Sequence, residues 1–135
     1  MAVLVELTQD ECLDLLRGET VARVALCTPE GPRIVPVNFT LVDGFVVIRT
    51  APYSLLGTYG RDAILALETD RLDTTTHAGW SVVVRGVAEM VEDVRELQEI
   101  RATAEPEPWA TGHRNLYLRI HVREVTGRRV AGPTA

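Results

Sequence analysis

A single dipeptide, Asp43-Gly44, most constrains the fold, because it separates two apolar runs rich in β-branched residues at positions 33–42 and 45–50. Asp-Gly accepts the positive φ angles of a type I′ turn, so the two runs are predicted to form a β-hairpin with a two-residue loop. This register sets Asn38 opposite Arg49.

The same register predicts which side chains share a face of the hairpin. Successive side chains of a strand point to opposite faces, so Asn38, Thr40 and Arg49 are predicted to lie together. The opposite face is apolar and is predicted to be core; it carries Val37, Phe39, Leu41, Val46 and Ile48.

Polar groups are predicted to converge where the hairpin ends at Arg49 and Thr50. A short helical segment is predicted to begin near Tyr53-Ser54, so a cation, two hydroxyls and the N–H groups of a helix start would meet there. These donors favour a phosphate group. Two alternatives stay open: Arg49 could pair with a surface carboxylate, and Ser54 could serve only as an N-cap.

Composition indicates one globular domain spanning residues 1–135, with 46% hydrophobic and 24% charged residues. The net charge of −5 and the lack of a long basic run argue against a nucleic-acid partner. No apolar run reaches the roughly 20 residues that cross a bilayer, and the N-terminus does not resemble a secretory signal. We therefore expect no membrane partner and a cytoplasmic location.

Residue usage excludes some chemistries. All 14 basic residues are arginine, so a pyridoxal phosphate enzyme, which needs a lysine for its Schiff base, is excluded. Cys12 and Cys27 match no zinc or redox spacing and are predicted to be buried free thiols. His77, His113 and His121 share no metal-binding spacing, so no metal site is predicted. No spacing identifies catalytic residues.

The other elements follow from capping residues and periodicity. Residues 8–11 have the pattern of a capping box, which predicts a helix that begins there and is ended by Gly18. The remaining predictions are strands at 21–28, 63–69, 80–91 and 115–125, a loop at 70–79, a helix capped by Asp93 that runs to about residue 103, a surface segment anchored by Trp109, and a polar tail at 126–135.

Six or seven strands with short links and two peripheral helices predict a mainly β protein, an antiparallel barrel. Alternating β-α-β units are excluded, because helical patterns do not separate successive strands. One strand face remains ambiguous. It is predicted to be solvated, although it could bind an anionic substrate or a partner chain; its residues are Tyr117, Arg119, His121 and Arg123.

Several stretches, taken in order, resemble one known family. They are residues 33–38, 47–54 and 79–89, the Pro108-Trp109-Ala sequence, and residues 124–128. Together they are similar to the FMN-binding split β-barrel family, the pyridoxamine 5′-phosphate oxidase-like proteins, over roughly residues 5–130.

This resemblance implies a homodimer with two FMN sites between its subunits. The residues it implies for each part of the flavin are Val35, Pro36, Val37 and Asn38 beside the isoalloxazine, Arg49, Thr50 and Ser54 at the phosphate and ribityl end, and Trp80 and Ser81 reaching in from the facing subunit.

The resemblance also implies an FMN-dependent oxidoreductase acting on a small molecule, closer to nitro-compound reductases than to vitamin B6 oxidases. Relatives commonly carry a lysine or arginine directly after the phosphate-segment serine, where this chain has Leu55. A deazaflavin is therefore a possible cofactor. The alternative functions are a non-catalytic dimer that binds flavin, deazaflavin or haem, and a flavin-free barrel used as an interaction surface.

Overall fold

The computed structural model describes residues 3–107 and 115–131 of the chain. The predicted Trp109 anchor and His113 lie outside these residues. In chain order the elements are β1 (Val3–Glu6), α1 (Gln9–Arg17), β2 (Val21–Thr28), β3 (Gly31–Val42), β4 (Phe45–Thr50), α2 (Leu55–Tyr59), β5 (Ile64–Asp73), β6 (Ala78–Met90), α3 (Val94–Thr103), β7 (Leu116–His121) and β8 (Glu124–Ala131).

All strand pairs are antiparallel, and the order β1-β8-β6-β5-β2-β3-β4-β7 closes through an additional β6–β7 pairing. Strand β6 is long enough to hold two neighbours on one edge, β8 over residues 79–85 and β7 over residues 88–90. Six strands therefore close the barrel, while β8 and β1 extend the sheet beyond it. The predicted mainly β, antiparallel split barrel is confirmed; β1 and β8 bring the described strands to eight, beyond the expected six or seven.

The point where β6 changes partners requires a residue without a side chain. A Cβ added at Gly86 would overlap the carbonyl oxygen of His121, the last residue of β7. Gly86 therefore lets the two backbones approach closely enough for the barrel to close.

The central hairpin has the predicted geometry. Asp43 and Gly44 adopt φ angles of 44° and 81°. Val42 pairs with Phe45 across the turn, as predicted, and the register continues along β3 and β4. The positive φ angles suit the right-handed twist of the two strands, which is why this short turn connects them.

The predicted core face of the hairpin is buried inside the barrel. Phe39 is 1% exposed, Val46 and Ile48 are fully buried, and Leu41 packs partly buried against them. Each such large apolar side chain contributes about 1.5–3 kcal/mol by leaving water. Burial of this one face holds β3 and β4 in register, because a shift by one residue would turn the whole face outward.

A second, smaller core lies on the outer face of the hairpin, under α3. Val47, Val91, Ile100 and Tyr117 are buried together there. Tyr117 is 1% exposed, so the solvated face predicted for the residues that alternate with Leu116 and Leu118 is wrong at Tyr117. Arg119 and His121 are half-buried, and Arg123 is exposed as predicted. Helix α3 covers that face, an arrangement that the alternation of β7 does not reveal.

The first helix matches its prediction closely. The backbone N–H of Glu11 donates to the Thr8 hydroxyl over 3.2 Å, and the Thr8 N–H donates to the Glu11 carboxylate over 3.0 Å. Gly18 ends the helix, as predicted. Strand β2 and the Asp93 cap of α3 also match. No helix in the described parts of the chain is long and apolar enough to cross a membrane.

Two polar segments were predicted wrongly. The predicted loop at residues 70–79 is mostly a hairpin between β5 and β6, and much of the predicted tail is β8. Pairing to a neighbouring strand satisfies the backbone whatever the side chains, so polar sequences can form strands at an exposed end. The burial predicted for Cys27 is also wrong, because its side chain is exposed, whereas Cys12 is buried.

Candidate functional site

A pocket of about 390 Å³ lies between the middle of β3, the end of β4 and α2. Its volume falls in the range of roughly 300–1,000 Å³ that is typical of small-molecule sites. The described residues that line it are Val35, Pro36, Val37, Asn38, Arg49, Thr50, Ser54, Leu55 and Leu56. Seven of the nine residues that the sequence predicted for cofactor binding therefore meet at one cavity.

The polar wall of the pocket is built by the turn that follows β4. The Ser54 N–H donates to the carbonyl of Ala51 over 3.1 Å, which reverses the chain. Ser54 then caps α2, because its hydroxyl accepts from the Gly57 N–H over 3.0 Å. This short helix carries Leu55 and Leu56 to the pocket, so its contribution to the wall is apolar.

The hydroxyls of Thr50 and Ser54 are engaged with each other and with the backbone. Ser54 Oγ lies 2.7 Å from the carbonyl oxygen of Ala51, which can only accept, so the single hydroxyl proton of Ser54 points there. The 2.9 Å contact between the two hydroxyls is then donated by Thr50. A ligand that accepts from either hydroxyl has to replace one of these bonds.

Arg49 carries the positive charge at the polar end of the pocket. Its Nη1 lies 3.0 Å from Glu105 Oε1, and 26% of its side chain is exposed. Its guanidinium carbon also lies 5.6 Å from the centre of the Tyr117 ring. The pairing with a carboxylate, which the sequence left open as the alternative, is thus observed together with the pocket position.

Glu105 is the residue of this site that sequence reasoning missed. The Tyr117 hydroxyl donates to Glu105 Oε1 over 2.6 Å, and burial, followed by this hydrogen bond, raises the pKa of Tyr117. Thr40 donates to the carbonyl of Ala104 over 2.7 Å, which ties the end of α3 to the hairpin. The only sequence signal was an acidic residue just beyond a predicted helix end, and such residues are common on surfaces.

Trp80 and Ser81 do not line this pocket within the chain. Both lie near the start of β6, where they pair with Arg71 and Asp70 of β5. Trp80 is 9% exposed and belongs to the barrel core. The expectation that they reach the site of a facing subunit stays a prediction.

On the ambiguous face of β7, Arg119 and His121 form ion pairs and hydrogen bonds within the chain, away from the pocket. Glu89 accepts from Arg119 over 2.7 Å and lies 2.6 Å from His121 Nε2. The His121 contact, followed by Arg119, holds the pKa of Glu89 below its usual range. Arg119 also pairs with Glu96 of α3. Among the described residues no cluster could hold a metal ion.

The lining residues suit a ligand that is apolar at one end and anionic at the other. Two stretches supply apolar contacts, residues 35–37 and 55–56, while Arg49 and Asn38 supply polar contacts. No carboxylate, histidine or cysteine is among the described lining residues, so the pocket itself offers no general acid or base.

Comparisons with known proteins identify a matching family and a similar protein. A family model described as pyridoxamine 5′-phosphate oxidase matches residues 8–129. An uncharacterized protein of Mycobacterium tuberculosis is 35% identical over 131 residues, which cover 93% of this chain and 85% of that protein.

Two solved structures share the fold and about a third of the sequence. The FAD binding protein from Mycobacterium smegmatis aligns with a TM-score of 0.80 at 31% identity, covering 93% of this chain and 98% of that one. A conserved protein of unknown function from Corynebacterium diphtheriae aligns with a TM-score of 0.78 at 30% identity, covering 96% and 98%.

Proposed function

The chain belongs to the pyridoxamine 5′-phosphate oxidase family, and on that premise we propose that it binds a flavin nucleotide in the pocket between β3, β4 and α2. The observation that carries the proposal is the convergence of Arg49, Thr50 and Ser54 with the apolar stretch 35–37 at one cavity of about 390 Å³. The similar Mycobacterium smegmatis structure is that of an FAD binding protein, which supports the same ligand class.

The residues fit the two ends of a flavin nucleotide. The flat ring system would lie against residues 35–37, with Asn38 hydrogen-bonding its polar edge. The phosphate would bind Arg49 and the hydroxyls at the start of α2, because a guanidinium and short hydroxyl side chains are common phosphate donors. Leu55 adds no charge, so this phosphate site relies on a single lining cation.

FMN is the proposed cofactor because Arg49, Thr50 and Ser54 form a single group of donors at the polar end of the pocket, which suits one phosphate. FAD is the second candidate. It is favoured by the similar FAD binding protein and by Tyr53, a residue that is 81% exposed beside Ser54 and offers a ring on which an adenine would stack. A deazaflavin that carries a phosphate would use the same contacts.

The proposed activity is oxidation or reduction of a small molecule. A bound flavin supplies the hydride-transfer chemistry, and the protein binds it, orients it and excludes water. This division of labour is consistent with the absence of a general acid or base among the described lining residues. Binding without turnover, whether of flavin, deazaflavin or haem, is the alternative that the same pocket allows.

The proposed assembly is a homodimer in which a second copy covers the pocket. Ile34 is 72% exposed and Tyr53 81%, and both lie directly beside pocket-lining residues. Large exposed apolar side chains beside a pocket are typical of interaction surfaces. Sedimentation equilibrium of the purified protein tests this: the mass of two chains is expected, and a monomer at micromolar concentration would refute the dimer.

The absorption spectrum of the purified protein tests flavin binding. Flavin bands are expected either directly or after incubation with FMN and desalting, and acid release followed by chromatography distinguishes FMN, FAD and deazaflavin. A colourless protein that retains none of these ligands would refute the proposal. Turnover of a nitro-aromatic compound with reduced flavin then tests the oxidoreductase activity, while bound flavin without turnover of any substrate tried would favour the binding module.

A further inference from the structure

We infer that Glu105 is an internal counter-ion that determines how strongly the pocket selects ligands by the charge of their phosphate. This inference rests on the proposed flavin site and concerns one residue outside the pocket wall. Glu105 competes with the ligand phosphate for Arg49, so it weakens binding of phosphorylated ligands and leaves their unphosphorylated forms unaffected.

Glu105 is held in position by contacts from two directions. The Tyr117 hydroxyl donates to its Oε1 over 2.6 Å, and Tyr117 itself is buried under α3. The preceding residue, Ala104, is tied to β3 by the Thr40 hydroxyl and to α3 through its N–H bond to Ile100. These contacts give the carboxylate of this exposed residue a defined location.

The same oxygen of Glu105 also meets the pocket cation. Oε1 lies 3.0 Å from Arg49 Nη1, and the two side chains are 35% and 26% exposed. Although Glu105 is an exposed residue, water and salt screen this partly covered pair less than they would a fully solvated one. Arg49 is the one charged residue among the described residues that line the pocket, so Glu105 offsets its charge.

A ligand phosphate and the Glu105 carboxylate therefore cannot both approach Arg49 without repelling each other. A phosphate dianion bound to Arg49 would share the charge of the guanidinium with Glu105 and be repelled by that carboxylate, whereas a flavin without phosphate would not. Leu55 brings no second cation to relieve this competition. Glu105 thereby acts on ligand specificity.

The test compares dissociation constants for FMN and for riboflavin, the same ring system without phosphate, in the wild-type protein and in Glu105→Gln. Glutamine keeps the size of the side chain and can still accept from Tyr117. FMN binding is expected to tighten about three- to tenfold, at most about 1.4 kcal/mol, while riboflavin binding changes less than twofold. Glu99→Gln, at an exposed position of α3, makes the same change in net charge and is expected to alter neither.

A second variant keeps the test informative if Glu105→Gln folds poorly. Tyr117→Phe retains the buried ring but removes the bond that holds the carboxylate, so a smaller tightening for FMN alone is expected. Weaker FMN binding in Glu105→Gln, or equal changes for FMN and riboflavin, would overturn the inference while leaving the proposed function intact. Failure of the wild-type protein to bind either flavin would instead overturn the proposed function and, with it, this inference.

Discussion

The side-chain hydroxyls of Thr50 and Ser54 lie 2.9 Å apart where β4 turns into α2. Thr50 is 4% exposed, so its hydroxyl has little access to water and depends on Ser54 for a partner. Ser54 also caps α2 and bonds the Ala51 carbonyl. One serine therefore holds together the polar wall of the pocket.

Replacing Ser54 with Ala is expected to lower the free energy of unfolding by about 1–2 kcal/mol, because a helix cap is lost and a buried hydroxyl loses its partner. Urea denaturation measures the effect. In a double-mutant cycle with Thr50→Val, the two losses should not add, since the second change removes the group that the first leaves unsatisfied. Additive losses would mean that the two hydroxyls act independently.

Replacing Arg49 with Gln is expected to weaken FMN binding about tenfold to a hundredfold, the effect of losing one charge-assisted hydrogen bond to phosphate. Riboflavin binding should change much less, because that ligand has no phosphate. Arg33→Gln removes an arginine that pairs with Glu30 near the start of β3 and serves as the matched control. If riboflavin binding falls as far as FMN binding, Arg49 does not bind the phosphate.

Replacing Gly86 with Ala is expected to destabilise the protein by at least about 2 kcal/mol, since the new Cβ would overlap the carbonyl of His121 where the barrel closes. Gly18→Ala is the control, because its Cβ would lie 3.6 Å from the nearest atom, the Leu15 carbonyl oxygen, which is ordinary contact. That variant should stay within about 0.5 kcal/mol of the wild type. Thermal unfolding distinguishes the two, and equal stability would contradict the close approach.

We expect the carboxyl group of Glu68 to make the protein less stable as the pH rises towards neutrality. Burial, followed by the neighbouring Asp70, raises its pKa from 4.5 to about 7, although Arg23 lies 3.1 Å away. The native protein therefore binds this proton more tightly than the unfolded chain does. As pH rises through the interval from about 4.5 to 7, the contribution of this group to the free energy of unfolding falls.

Replacing Glu68 with Gln is accordingly expected to stabilise the protein at pH 8 by about 1 kcal/mol, a value already reduced for solvent screening of this partly exposed group. At pH 4.5 the variant and the wild type should be nearly equal. Urea unfolding at both pH values measures the difference. In an Asp70→Asn background, the stabilisation by Glu68→Gln at pH 8 should be smaller, because the neighbouring charge is gone. A Glu68→Gln protein that is less stable than the wild type at pH 8 would refute the prediction.

Local rules were sufficient for the part of the site that is contiguous in sequence. Residues 35–54 contain the type I′ turn, the alternation of β3 and β4, and the Ser54 cap. Each of these depends on side chains within a few positions of one another. The sequence therefore predicted that Asn38 and Arg49 share a face of the hairpin, and both line the same pocket.

The same rules failed where distant segments meet. The solvated face predicted for β7 ignored α3, which buries Tyr117, and the predicted tail ignored the edge of β6, to which β8 pairs. Both segments have polar side chains, so the sequence pattern predicts that they are exposed. It cannot predict burial by a helix or pairing to a strand that lies far away in the chain. Trp80 was recognised only by resemblance, and its location in the barrel core does not decide its role in an assembly.

The sequence by itself determined the hairpin, the capped helices and which residues of β3, β4 and the turn after β4 lie at the polar end of the pocket, because turn geometry and side-chain alternation act over short separations. Only the tertiary structure decided that Arg49 meets Glu105, that Tyr117 is buried beneath α3, and that Gly86 allows β6 to change partners. These depend on contacts between residues far apart in the chain, where packing and charge pairing override local preference.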